Sequence, residues 1–178
     1  MNIFYLSEDP FQAAEWMVDK HVVKMILESA QLLSTAHRVL DGVEYVDSSS
    51  GRKIKRYMLP DSRESVLYKS THQNHPSAVW CRTSVENYLW LYEHFFALMR
   101  EYTYRYDKRH ACEGDLSYML QSPPFNLKAY DMTPMPSAMD DKYKLGDDPI
   151  TNYRNYYKMG KSDIHSWKKR QPPEWINE

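Results

Sequence analysis

Residues 19–40 read DKHVVKMILESAQLLSTAHRVL, and the phasing of this stretch decides the fold. At the helical turn of 100° per residue, Val22, Ile26, Ser29, Leu33, Ala36 and Leu40 fall on one face, with Met25 and Leu32 at its edge. The segment therefore reads as an amphipathic helix. The same phasing puts His21, Lys24, Glu28, Gln31 and Thr35 on a second, polar stripe. Two readings of that stripe stand side by side. It is a solvated face, on which Lys24 and Glu28 form an i,i+4 pair worth roughly a few tenths of a kcal/mol, or it is the floor of a site for something negatively charged. Lys20 lies between the stripes, where its stem covers apolar surface.

Outward from this helix the chain has clear punctuation. Asn2 to Leu6 reads as extended, and Asp9-Pro10 supplies an N-cap and a first helical residue for a helix to about Val18. VEYVDSSSGRKIKRYML, residues 43–59, alternates and turns at Ser-Ser-Ser-Gly, the pattern of a β-hairpin. Its second arm carries Arg52, Lys53, Lys55 and Arg56, suited to a phosphate backbone and equally to protecting a sheet edge. Pro76 starts a short helix, and Thr83-Ser84-Val85-Glu86 matches a capping box. After it, Val85, Tyr88, Leu89, Tyr92, Phe95, Phe96, Met99, Tyr102 and Tyr106 recur at helical spacing, a second long helix central to the core. A short helix is expected from Asp115 to Ser122, then an ordered connection from Pro123 to Gly146. Asp148-Pro149 repeats the start signal for a helix outlined by Ile150, Tyr153, Tyr156 and Tyr157 and ended near Gly160; Ser162 caps a last short helix closed by Pro172-Pro173. The expected fold is mainly α, a single domain over residues 1–178 with a small β-hairpin.

Composition bounds the function. A chain of 178 residues fits one domain that buries about two thirds of its unfolded surface. A formal net charge of −1 gives no overall attraction for a polyanion, so phosphate binding must come from local patches: the hairpin arm, or Lys158, Lys161, Lys168, Lys169 and Arg170. Cys81 and Cys112 lack CxxC spacing, which argues against a disulfide framework or thiolate zinc site and for a reducing compartment. Neither a signal peptide nor a run of 18 apolar residues is seen, so the expectation is a cytoplasmic protein without membrane partners. Fifteen Tyr and five Trp serve as an interfacial core or as base-stacking platforms.

Several chemistries are excluded by missing motifs: phosphate loops of the GxGxxG or GxxxxGK[ST] type, the GxSxG elbow, and the zinc-deaminase signature. Four groups remain: His21 with Lys20 and Lys24; His72 with Asn74 and His75; Asp147-Asp148; and Tyr153 with Arg154. General acid/base work by His21 or His72, with Lys24 and Arg154 as anion clamps, fits this inventory. Each has a plainer reading, in which His72 and His75 hold their loop and Arg154 pairs with Asp147 or Asp148 at a helix start. No cofactor is identified and no metal site is assigned. A divalent metal on His72, His75, His21 or His37 with a carboxylate stays open, since HxxH alone is a weak signal.

MNIFYLSEDP, DKHVVKMILESAQLLSTAHRVL, THQNHPSAVW and DDPITNYRNYY with SWKKRQPPEW resemble a family of small proteins common in tailed phages, over most of the chain. That resemblance implies a viral origin and the cytoplasm of an infected host cell. Asp147-Asp148-Pro149-Ile150 with Tyr153-Arg154 is similar to a DDPI-x-x-YR element of the alpha-glutamyl/putrescinyl thymine pyrophosphorylases, helical phage amino-acid:DNA transferases. This likeness implies replacement of a pyrophosphate on a hydroxymethylated thymine in DNA by an amine. Lys20, Lys24 and Arg154 would then hold the phosphate, His21 would act as acid or base, and Asp147 or Asp148 would orient the base or amine. Glu28, Gln31, Asn74, His75 and Tyr153 complete the positioning set, with Asp148 and His72 counted among the catalytic candidates. The expectation is an enzyme acting on a nucleobase or nucleotide in DNA. The alternatives are a metal-dependent hydrolase or glycosylase-like enzyme using its histidines, and a non-catalytic effector that binds a host protein or a small nucleotide.

Overall fold

Two long helices form the frame onto which every other element is laid. The computed structural model describes residues 1–177. In chain order, α1 spans Pro10–Trp16, α2 Asp19–Asp41, β1 Val43–Asp47, β2 Ile54–Met58, α3 Arg63–Val66, α4 Pro76–Cys81, α5 Val85–Tyr106, α6 Asp115–Leu120 and α7 Pro149–Gly160. A single 3-10 turn at Asp141–Tyr143 precedes α7, and two more follow it at Ser162–Ile164 and Glu174–Ile176. The mainly α fold with a small hairpin is as the periodicity indicates.

α2 packs against α5, and α1 lies across α5. Val22, Ile26, Leu33 and Ala36 of α2 and Tyr88, Leu91, Phe95 and Leu98 of α5 are wholly buried, each large apolar side chain contributing about 1.5–3 kcal/mol. The N-terminal segment is not peripheral: Ile3 and Leu6 are as buried as the helix core. Both Asp-Pro starts work as their chemistry predicts. The Asp9 carboxylate accepts from the Phe11 and Gln12 amides, and that of Asp148 from Ile150 and Thr151. β1 and β2 pair antiparallel, Val43 opposite Met58 and Asp47 opposite Ile54.

Four expectations are corrected by the structure. The α5 cap is Ser84, whose Oγ accepts from the Asn87 amide at 3.2 Å, while the Thr83 hydroxyl donates back to Val79 and closes α4. Glu86, freed from a capping box, accepts from the Met132 amide at 2.9 Å and ties the long connection to α5. α6 ends at Leu120 instead of Ser122, and the last short helix is a single 3-10 turn. The polar stripe of α2 is not a solvated face: His21 and Thr35 are buried, Glu28 and Gln31 half-buried, and only Lys24 is exposed. The cause is that α7 and the loop before α4 lie on it, through Tyr157 on His21 and Thr71 on Thr35. Among the described residues, no helix is long and apolar enough to cross a membrane.

Buried arginines hold these layers together. Arg38 donates to the carbonyls of Tyr57, Glu64, Leu67 and Tyr68 and to the Glu64 carboxylate, fixing the hairpin and α3 to α2. Arg105, fully buried, donates to Glu101, Asp19 and the carbonyls of Glu15 and Met17, joining α5 to the α1–α2 corner.

Candidate active site

Glu28 stands one turn beyond Lys24 on α2, and the N-terminal segment passes in front of it. The Asn2 side-chain oxygen accepts from the Ile3 amide at 2.8 Å and the Phe4 amide at 3.3 Å, and its amide nitrogen donates to the Ala138 carbonyl at 2.8 Å. This local fold turns the backbone nitrogen of Asn2 onto Glu28 Oε2, 3.0 Å away. Glu28 Oε1 lies 3.2 Å from the Lys24 ammonium. A carboxylate whose side chain is 13% exposed thus sits between two nitrogens, with the Lys24 side chain 68% exposed. The cavity around it, about 220 Å³, is completed by Phe4, His21, Tyr156 and Lys161.

His21 forms the inner wall. Its Nδ1 is 2.6 Å from the Tyr157 hydroxyl and its ring stacks on Phe4 at 4.2 Å. Burial, then the Lys161 and Lys24 charges, push its pKa down to about 3, so the imidazole is neutral at physiological pH. Phe4 holds a left-handed backbone with φ 58°, a conformation costing about 1–3 kcal/mol for a non-glycine residue. Its ring lies near-parallel to those of His21 and Tyr156 and meets Tyr157 edge-on.

The loop before α4 is tied to α2 further along the same stripe. Thr35 and Thr71 exchange hydrogen bonds, and His75 caps α4 by accepting from the Ser77 amide at 3.2 Å. Burial, the Met1 amino group and His72 lower the basicity of His75, while Glu28 opposes them, which places this imidazole in the field of the same cavity. His72 is exposed at φ 45°, its Nδ1 2.7 Å from the Thr71 hydroxyl. Asn74 is exposed beside it and Gln31 is half-buried on α2.

The other candidates stand elsewhere. Arg154 borders a second cavity of about 540 Å³ with Trp16, Pro172, Pro173 and Trp175. Its Nε donates to the Leu6 carbonyl at 3.0 Å, and its guanidinium lies 5.0 and 5.4 Å from the Trp16 and Trp175 ring centres. Asp148 is spent on capping α7, its carboxyl held low chiefly by the Thr151 hydroxyl. Asp147 is exposed, and Tyr153 is buried with its hydroxyl on the Pro136 carbonyl. Lys20, Arg52 and Lys53 are exposed, Lys55 pairs with Glu44 at 2.6 Å, and Arg56 donates to the Ser70 carbonyl. Among the described residues, no three His, Cys, Asp or Glu side chains are grouped so as to hold a metal ion.

The structure thus gathers His21, Lys24 and Glu28, while His75 feels the Glu28 charge but does not line the cavity. It adds Asn2, Phe4, Tyr156, Tyr157 and Lys161, which the reading of motifs had not placed there. Lys161 carried a signal as one of the basic residues near the end; Asn2 carried none, because a backbone nitrogen has no sequence signature. The chain matches the family described as pyrimidine dimer DNA glycosylase over residues 1–114, a segment that includes Asn2, His21, Lys24, Glu28 and His75. No curated protein and no solved structure matches it.

Proposed function

The chain belongs to the pyrimidine dimer DNA glycosylase family, and from that premise we propose that it breaks the N-glycosidic bond of a damaged pyrimidine in duplex DNA, with Glu28 as the central carboxylate. The observation that carries this reading is the position of Glu28 between two nitrogens in a small cationic cavity. As a base departs, positive charge builds on the deoxyribose, and a fixed carboxylate beside the sugar stabilises it. A primary amine at the same place can attack the sugar carbon, so that the base leaves with the electron pair of the glycosidic bond. Glu28 then relays a proton between the amine and the ring oxygen as the sugar opens to an imine.

Two nitrogens are close enough to serve. Lys24 Nζ is an amine as it stands, 3.2 Å from the carboxylate. The Asn2 nitrogen, at 3.0 Å, is an amide while joined to Met1 and becomes an amine once that bond is cleaved. His21, neutral and fixed by Tyr157, walls the cavity, and the half-buried Tyr156 on the same lining offers an aromatic surface to a base or sugar. The exposed cations Lys20, Arg52 and Lys53 would extend the contact along the phosphate backbone. The amine transfer implied by the DDPI-x-x-YR likeness would need Lys20, Lys24 and His21 to act together with Arg154 and Asp147 or Asp148, whereas Arg154 borders the other cavity, and product analysis separates the two reactions.

The test is to incubate the protein with a duplex carrying one pyrimidine dimer, with and without borohydride. The expected result is a broken glycosidic bond and a reduced covalent protein–DNA adduct, whose peptide map names Lys24 or Asn2. A dimer whose glycosidic bonds stay intact at excess protein refutes the proposal.

A further inference from the structure

The Glu28 cavity is finished by residues outside the segment that matches the family. α7 runs past Phe4, and its end is shaped by Gly160. A Cβ at position 160 would lie 2.6 Å from the Tyr156 ring and 2.8 Å from the Tyr143 ring. Those rings pack 4.7 Å apart, so only a residue without a side chain lets them close while the chain continues to Lys161. The Lys161 ammonium then rests 4.9 Å from the centre of the Tyr156 ring, on the wall of the cavity that holds Lys24 and Glu28.

Lys24 is paired with Glu28, but among the described residues no carboxylate forms an ion pair with Lys161. Two ammonium groups around one carboxylate leave this cavity with an excess of positive charge. Like charges facing one cavity repel, and an anion seated between them relieves the repulsion. The aromatic ring beneath Lys161 limits where its ammonium can go, which makes it a fixed contact instead of a diffuse one.

We propose that Lys161 is a positioning residue of this site, which binds one phosphate of the DNA strand and sets that strand against Glu28. The inference rests on the glycosylase reading, since it takes DNA as the substrate. It assigns a role in that site to the part of the chain beyond residue 114.

Lys161→Gln and Lys161→Arg, in the full chain, test it by two readouts. The first is anisotropy titration of an undamaged duplex over a salt series. The second is single-turnover excision from a duplex with one pyrimidine dimer, across protein concentrations. For Lys161→Gln, the slope of log affinity against log salt should fall by about 0.9, the value for one lost phosphate contact. The half-saturating protein concentration should rise about tenfold with the saturating rate unchanged, and Lys161→Arg should restore both. An unchanged salt slope, or a lower saturating rate at unchanged half-saturation, overturns the assignment. Binding to undamaged duplex reads Lys161 even if the wild type excises nothing, whereas a wild type that leaves the dimer intact refutes the glycosylase reading alone.

Discussion

Lowering the pH from 7 to 5 should remove a large part of this protein's stability, and the reason lies in three imidazoles. His21, His37 and His94 are buried, with pKa values pushed down to about 3, 4 and 4, burial being the largest cause in each. His37 is further lowered by Arg63, whose Nη1 stands 2.8 Å from its Nδ1. His94 stacks on Trp90 with Nδ1 on the Pro10 carbonyl, and its buried Nε2 has no partner. In the unfolded chain each would titrate near the ordinary 6.5. A folded value below the unfolded one means that unfolding takes up protons. Stability is therefore complete above about pH 6.5 and falls as pH drops toward the folded values. At pH 5 each group costs about 2 kcal/mol, a figure insensitive to the folded pKa so long as that stays well below 5. Together they amount to about 6 kcal/mol, against a typical domain stability of about 5–15 kcal/mol. Carboxylates held low, such as Asp19 and Asp41, act only at more acid pH and do not blur the window. Urea unfolding at pH 7, 6 and 5 measures the loss, and His94→Phe should reduce it by about a third. Equal stabilities at pH 7 and 5, or a loss untouched by His94→Phe, would refute the reasoning.

Two further substitutions probe the frame that positions the site. Arg105→Met leaves the buried Glu101 and the Asp19 carboxylate short of their partner, and should cost about 3–5 kcal/mol in chemical denaturation; a loss under about 1 kcal/mol would show that Arg170 replaces it. Tyr88→Phe removes a hydroxyl that meets His37 Nε2 and donates to the Leu120 carbonyl, both at 2.8 Å. It should cost about 1–3 kcal/mol, and a variant as stable as the wild type would mean that neither bond matters.

Much of the fold follows from local rules and was readable on that account. The phase of Val22, Ile26, Leu33 and Ala36 depends only on helical geometry, and Asp9-Pro10 and Asp148-Pro149 cap their helices through bonds two and three residues away. The site is different, because its decisive contacts span the chain. Asn2 and Glu28 are 26 positions apart and His21 and Tyr157 136 apart, and no periodicity connects such pairs. Helical phase alone aligns His21, Lys24 and Glu28 on one line of α2. Whether it met water or protein depended on α7, which lies beyond the reach of any helical wheel. Arg154 illustrates the same limit: the nearest carboxylates upstream in sequence are Asp147 and Asp148, but the folded chain offers it two indoles and the Leu6 carbonyl.

The central claim, that Glu28 does chemistry on DNA, is tested most directly by Glu28→Gln in single-turnover excision from a duplex carrying one pyrimidine dimer. Glutamine keeps the shape and the hydrogen-bond acceptor for the Asn2 nitrogen but cannot relay a proton or face a cationic sugar with a full charge. The excision rate should fall by about 10² to 10⁴. Affinity for the duplex should be kept or tightened, because removing a negative charge from a cationic cavity does not weaken its hold on phosphate. Excision by Glu28→Gln at the wild-type rate would contradict the account.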